Sequence, residues 1–311
     1  MSRIFLFAGL LTIVTAPFVY WKLDNDITSA RFLTEHERRQ GVERLRANQT
    51  GIGSYEFKWS QVAEVPIEPK SWLWLGMAVL PNMGSALTSF FGPLIITGFG
   101  FDEYQATLLN IPFGAMQFIV ILAACWFSYK VKLKSFILAG FMVPVVAGIG
   151  MLYGLGRSES EQPALLTAYY LLAFVFAANP LLLAWVVGNT GGATKQSATL
   201  SLYQAGLSAG DLAGPLLFHK DEAPIYRTGV RGVLILFVVL IACVFFQLFN
   251  LVFLNKMQRK KRVRNGKSAV IVDQSMKMHV NADAKTQEPI LSDAESLDLT
   301  DRQNDEFVYL Y

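Results

Sequence analysis

The chain has 311 residues, of which 53% are hydrophobic and only 16% charged, with a mean hydropathy of +0.37. An ordinary soluble domain carries about a quarter charged residues, so composition excludes that class. The net charge of +3, from 27 Lys and Arg against 24 Asp and Glu, says little as a total. What matters is where those charges lie.

An uncharged apolar run at 4–21 follows Arg3. It is long, and the residues near its end (Phe18, Val19, Tyr20 and Trp21) are too bulky for a signal-cleavage site, so it reads as a retained transmembrane helix. Residues 22–70 are polar and read as a linker. Thr34 with Glu37 forms a capping box, Glu35 and Arg39 are spaced as an i,i+4 pair, and the helix is expected to reach about Ala47. Asn48, Gln49 and Thr50 spell a glycosylation sequon that is expected to stay unmodified on a cytoplasmic face.

Six long apolar runs organise residues 71–255: 72–96, 104–129, 135–156, 163–188, 196–218 and 232–254. A helix rises 1.5 Å per residue, so about 20 apolar residues cross the hydrocarbon layer. Five of the runs contain no charged residue, and the sixth contains Asp211 alone. With the first run they give seven transmembrane helices. The fold class is therefore an all-α membrane protein.

Lys and Arg collect at alternate ends of these runs. Lys70, Lys130, Lys132, Lys134, Lys195 and the cluster at 256–267 fall on one side, which predicts a cytoplasmic linker and tail and an N-terminus outside. The basic cluster would attract anionic lipid. Residues 256–311 turn from basic to acidic, are poor in apolar residues, and read as a disordered cytoplasmic tail. Cys125 and Cys243 lie inside apolar runs, where they read as buried thiols and not as a disulfide.

Polar residues within the runs are the candidate functional groups. A carboxylate in hydrocarbon costs several kcal/mol unless it faces water or a partner, which makes Asp211 the proton-coupling candidate. The alternative is an acid near the outer end of its helix, wetted from outside. Asn82, Asn110, Gln117, Tyr203 and Gln204 are candidates for contact with a substrate. Gly206, Gly210 and Gly214 repeat every four residues and read as a helix-packing face. The three His residues are scattered, no nucleophile stands near a base at motif spacing, and no phosphate-binding Gly loop occurs. Neither enzymatic activity, a metal, a cofactor nor a nucleic-acid partner is expected.

Several stretches carry a family resemblance. ARFLTEHER (30–38) and ERLRANQTGI (43–52) lie in the linker, and GPLIITGFGF (92–101) and LLNIPFGAMQ (108–117) flank the first outer loop. PLLLAWVVGNTGGATKQ (180–196), AGDLAGPLLF (209–218), DEAPIYRTG (221–229) and LDLTDRQNDEFVYLY (297–311) follow in order. In this order the chain resembles the fungal allantoate permease-like branch of the major facilitator superfamily, the anion:cation symporters.

That resemblance implies twelve helices in two six-helix halves that rock about a central site. The match begins at the branch's sixth helix, so the partner would be a missing N-terminal half or a second copy. It implies proton-coupled import of a small organic anion such as allantoate, ureidosuccinate or nicotinate, in the plasma membrane. Cys125, Tyr129 and Lys130 stand where the branch usually carries a Gly and an Asp-Arg pair, and Asp211 stands where Asn is common. A non-transporting sensor, regulator or inactive product derived from such a permease is the rival reading.

Overall fold

The structure, a computed structural model, describes residues 2–24, 30–38, 41, 56–89, 92–98, 100–156, 159–222, 226–268 and 298–311. The expected linker helix beyond residue 41, the Glu35–Arg39 pair, the sequon and most of the acidic tail lie outside them. The Thr34 capping box is present, with Thr34 N donating to Glu37 Oε2 at 2.9 Å and Glu37 N donating to Thr34 Oγ1 at 3.4 Å.

All regular structure among the described residues is helical. α1 spans Ser2–Lys22, α2 Trp59–Ile67, α3 Pro69–Ser89, α4 Gly92–Thr97, α5 Glu103–Val131 and α6 Lys134–Gly154. α7 covers Gln162–Leu171 and continues through a 3-10 segment, Leu172–Ala177, into α8, Ala178–Gly188. α9 spans Ala193–Ala213 and α10 Arg227–Arg264. The 3-10 segment has a local cause. Pro180 offers no N–H to the carbonyl of Phe176 and its ring crowds that carbonyl, so the preceding turn tightens.

Among the described residues, five helical stretches are long and apolar enough to cross a membrane: Phe5–Lys22, Tyr104–Val131, Lys134–Gly154, Gln162–Gly188 and Arg227–Arg264. The protein is an all-α membrane protein. α3 and α9, which the sequence also reads as spans, have 21 residues each. That is about 31 Å of helix, enough to cross, but their composition is more polar. They lie directly against one another.

Where the backbones of α3 and α9 meet, α9 presents glycine. A Cβ at Gly206 would sit 3.0 Å from Ala78 Cβ, at Gly210 2.5 Å from the Val79 carbonyl oxygen, and at Gly214 2.7 Å from Ala86 Cβ. Any side chain at these three positions would push the helices apart. On its other side α3 meets α10, with the Phe237 ring filling the space over Gly84. α6 packs between α10 and the α7–α8 pair, and α5 packs on the 3-10 segment through Phe113 against Tyr169 and Phe176.

Several boundaries differ from the sequence reading. The run 72–96 is not one helix: α3 ends at Ser89 and α4 starts afresh at Gly92. The run 196–218 yields an α-helix only to Ala213, followed by a 3-10 turn at Gly214–Leu217 in which Pro215 withholds the next helical N–H. The last run sits inside a helix of 38 residues that carries the start of the basic cluster as regular helix. Cys125 is exposed and not buried, whereas Cys243 is half-buried.

The largest correction concerns the tail. Residues 298–311 are not a disordered solvated segment; they fold back onto the bundle, with Asp301, Thr300, Phe307 and Tyr309 buried. Net composition over 256–311 hides this. The apolar residues are concentrated at the end, and the acid at its centre meets two lysines of the bundle.

The starts of α3, α6 and α9 and the ends of α8 and α10 all touch this segment, so they share one end of the bundle. We call it the basic end.

Candidate functional site

The candidate residues separate into three places. On α9 the exposed polar positions are Ser197, Ser201, Gln204, Ser208 and Asp211, with Ala205, Ala209 and Leu212 exposed along one flank. At 100° per residue the polar positions fall within an arc of about 80°, opposite the glycines. The serines satisfy themselves: Ser197 Oγ donates to the Ala193 carbonyl at 3.0 Å and Ser201 Oγ to the Ser197 carbonyl at 2.9 Å. A serine can therefore face hydrocarbon cheaply. Gln204 and Asp211 have no such local carbonyl bond, and an amide or carboxylate in lipid costs several kcal/mol. This is the only strongly polar stripe that the described long helices turn outward.

A second set lies inside the bundle. Asn82 on α3 and Asn179 on α8 exchange reciprocal amide bonds, at 3.2 Å and 3.1 Å, and Asn82 Nδ2 also donates to the Ala78 carbonyl at 2.8 Å. Tyr203 Oη donates to the Asn179 carbonyl at 3.4 Å. These groups tie α3, α8 and α9 together at mid-depth. Asn82 and Tyr203 are both buried, so their polar atoms bond to neighbouring helices and do not line an open wall.

Asn110 belongs to a different contact, accepting from Tyr169 Oη at 3.0 Å, while Tyr170 Oη donates to the Leu109 carbonyl at 3.1 Å. Gln117 is half-buried two turns further along α5. The five predicted substrate residues therefore do not converge on one pocket. A small cavity among α3, α6, the 3-10 segment and α10, lined by Gly84, Thr88 and Phe237 among others, includes none of them.

The third place, at the basic end, is one the sequence reading missed. Lys195 Nζ lies 2.9 Å from Glu64 Oε2, 2.5 Å from Glu68 Oε1 and 3.0 Å from Asp301 Oδ1. Lys70 Nζ pairs with the other oxygen of Asp301, lies 3.3 Å from Glu68 Oε2 and donates to the Asn189 carbonyl at 3.1 Å. Lys70, Lys195 and Asp301 are all at most 1% exposed at their side chains.

Burial pushes the Asp301 carboxyl up, but Lys70 and Lys195 outweigh it and hold it below the ordinary carboxylate range. Burial pushes the Lys195 ammonium down, and Asp301 and Glu68 together more than reverse that. Both groups therefore stay charged. Removing one partner of such a buried cluster costs about 3–5 kcal/mol. The sequence signal lies in the lysines themselves: each stands just before an apolar run, where a basic residue also marks the cytoplasmic side.

An all-α bundle with amides bonded across its interior, glycine-mediated helix contact and a polar outward stripe has the architecture of a polytopic membrane protein. Comparison with known proteins agrees. The chain is 34% identical over 242 residues to the MFS-type transporter cnsL of Penicillium expansum, covering 76% of this chain and 49% of that protein. It is 25% identical to the allantoate permease of Saccharomyces cerevisiae, over 83% of this chain and 48% of the permease. It is 27% identical to the thiamine pathway transporter THI73 of the same yeast, over 99% of this chain and 54% of that protein.

No family model matches the chain, and no solved structure matches it. The chain is similar to fungal transporters of the major facilitator type, the allantoate permease among them, and spans about half the length of the curated relatives it matches.

Proposed function

We propose that this chain supplies the second six-helix half of a proton-coupled importer of a small organic anion. Allantoate, ureidosuccinate and nicotinate are the first compounds to test. The supporting observation is the outward stripe of α9, which sets Gln204 and Asp211 on a surface that lipid cannot satisfy. A first half, or a second copy of this chain, would cover that face and leave a path between the two. Asp211 lies 18 residues beyond the start of α9, so it would be wetted from the end opposite the basic one.

In this reading the basic end faces the cytoplasm of a plasma-membrane protein and the N-terminus lies outside. Exposed Lys130, Lys256, Arg259 and Lys260 at that end support the orientation. Asp211 takes a proton from the outer side with the anion, and rocking of the two halves releases both inward.

The test is uptake of labelled anion into vesicles that carry the chain with a first half, under an inward proton gradient. Gradient-driven accumulation that Asp211→Asn abolishes, with anion exchange retained, is the expected result. Accumulation indifferent to Asp211→Asn would remove the coupling role. No uptake by correctly inserted, paired protein would favour a non-transporting sensor or regulator.

A further inference from the structure

We infer that the basic end is a built receptor for the chain's own C-terminal peptide, residues 298–311, and that this peptide clamps α2 to the bundle. The contacts that hold the peptide involve neither the substrate nor the proton, and they set which parts of the chain move together.

The peptide is recognised along its backbone as well as by charge. Asn255 on α10 reads Tyr309 from both sides: its Oδ1 accepts from Tyr309 N at 2.9 Å, and its Nδ2 donates to Tyr309 O at 2.8 Å. Asn189, just past α8, does the same for Leu310, accepting from its N at 2.7 Å and donating to its O at 3.1 Å. Trp185 Nε1 also donates to Leu310 O at 2.8 Å. Two amides on different helices thus serve as a short substitute for a neighbouring strand, satisfying an extended peptide without a sheet. Phe307 and Tyr309, on alternate residues, both point inward.

The charged half of the peptide fits as closely. Asp301 inserts between Lys70 and Lys195 and accepts from Tyr309 Oη at 2.8 Å and from Gly191 N at 3.2 Å. Gln258 Nε2 donates to the Asp301 carbonyl at 2.7 Å.

Asp298 and Thr300 reach α2. Gln61 Nε2 donates to the Asp298 carbonyl at 2.8 Å, Lys58 lies 3.3 Å from the Asp298 carboxylate, and Thr300 Oγ1 donates to Glu64 Oε1 at 3.3 Å. α2 is therefore held between the peptide and the start of α9. Without the peptide, Lys70 and Lys195 still face Glu64 and Glu68, two charges against two. This buried cluster is neutral by itself, so departure of the peptide strands no net charge there, whereas Lys58 and Lys267, which lose Asp298 and Asp305 with Glu306, stand partly in solvent. The peptide's departure takes the α2 contacts with it.

The test uses the whole chain in detergent, with a protease site placed between residues 269 and 297. After cleavage the C-terminal fragment is expected to co-elute with the bundle. Excess synthetic peptide 298–311 is expected to displace it, and the same peptide with Asp301→Asn to need at least about tenfold more. Amide exchange in α2 is expected to rise at least about tenfold once the fragment is gone. In the intact chain Thr300→Glu, which sets a second carboxylate against Glu64, is expected to produce the same rise while the bundle elutes unchanged.

A fragment that separates on cleavage, or two peptides that compete equally, would overturn the receptor. Unchanged α2 exchange after displacement would overturn the clamp.

Discussion

α9 and α10 each turn a long face away from the packed bundle, and the two faces are chemically opposite. α10 shows Ile235, Val238, Val239, Phe246, Phe249 and Phe253, each at least 42% exposed. Such a face is finished once lipid covers it. α9 shows Gln204 and Asp211 among serines, flanked by Ala205, Ala209 and Leu212, and lipid leaves the amide and the carboxylate unsatisfied. The inner faces differ as well. α9 approaches α3 with three glycines, backbone against backbone, whereas α10 fills its space with rings such as Phe237. One helix is built to be solvated by hydrocarbon, the other to stand between a tight contact and a polar space. Exposure alone therefore does not identify a lipid face.

Substitutions can sharpen or break that contrast, and the largest effect is expected on α10. Phe246→Lys puts an ammonium in mid-span and should cost about 2.5–3.5 kcal/mol of insertion free energy, read as loss of the membrane-integrated fraction. Gln204→Lys, on the polar face, should cost far less; equal losses would erase the distinction. Next in size is Gly210→Leu, whose Cβ alone would meet the Val79 carbonyl at 2.5 Å. Overpacking of about 1–3 kcal/mol should lower the thermal midpoint in detergent, whereas Ser208→Leu on the opposite face should leave it nearly unchanged.

A smaller effect is expected from pH at the basic end. The Asp301 carboxyl is depressed, so its stabilisation is complete above the unfolded value of about 3.9 and is lost only as pH falls through the lower folded value. The Lys195 ammonium is raised, so its stabilisation is complete below the unfolded value of about 10.4 and is lost as pH rises through a still higher one. Exchange protection of α2 should therefore stay flat between about pH 5 and pH 9. A step inside that window would show that these groups are not paired as described.

Much of this was legible in the residues. Apolar runs of membrane length mark α5, α6, the α7–α8 pair and α10 because no other environment satisfies them, and the four-residue glycine repeat faces α3 as its spacing allows. The break at Ser89 was not legible, because the apolar pattern continues through it into α4. The fate of the tail was not legible either. Asp301 in isolation looks like one more solvated acid, and only the fold brings Lys70 and Lys195, 125 positions apart, to the two sides of one carboxylate. Asn82 and Tyr203 illustrate the same limit: sequence marks them as polar in a span, but which helix receives their bonds is a tertiary fact.

The contrast between the two outward faces is tested most directly by cysteine accessibility. In a background with Cys125 and Cys243 replaced by Ser, single cysteines at Ser201, Gln204 and Ser208 on α9, and at Val239 and Phe246 on α10, would be exposed in membranes to a water-soluble, charged thiol reagent. Labelling of the α9 set at rates at least about tenfold above the α10 set is the predicted result, since thiolate forms only in water. Equal, slow labelling of both sets would mean that α9 faces lipid and that no polar path runs along it.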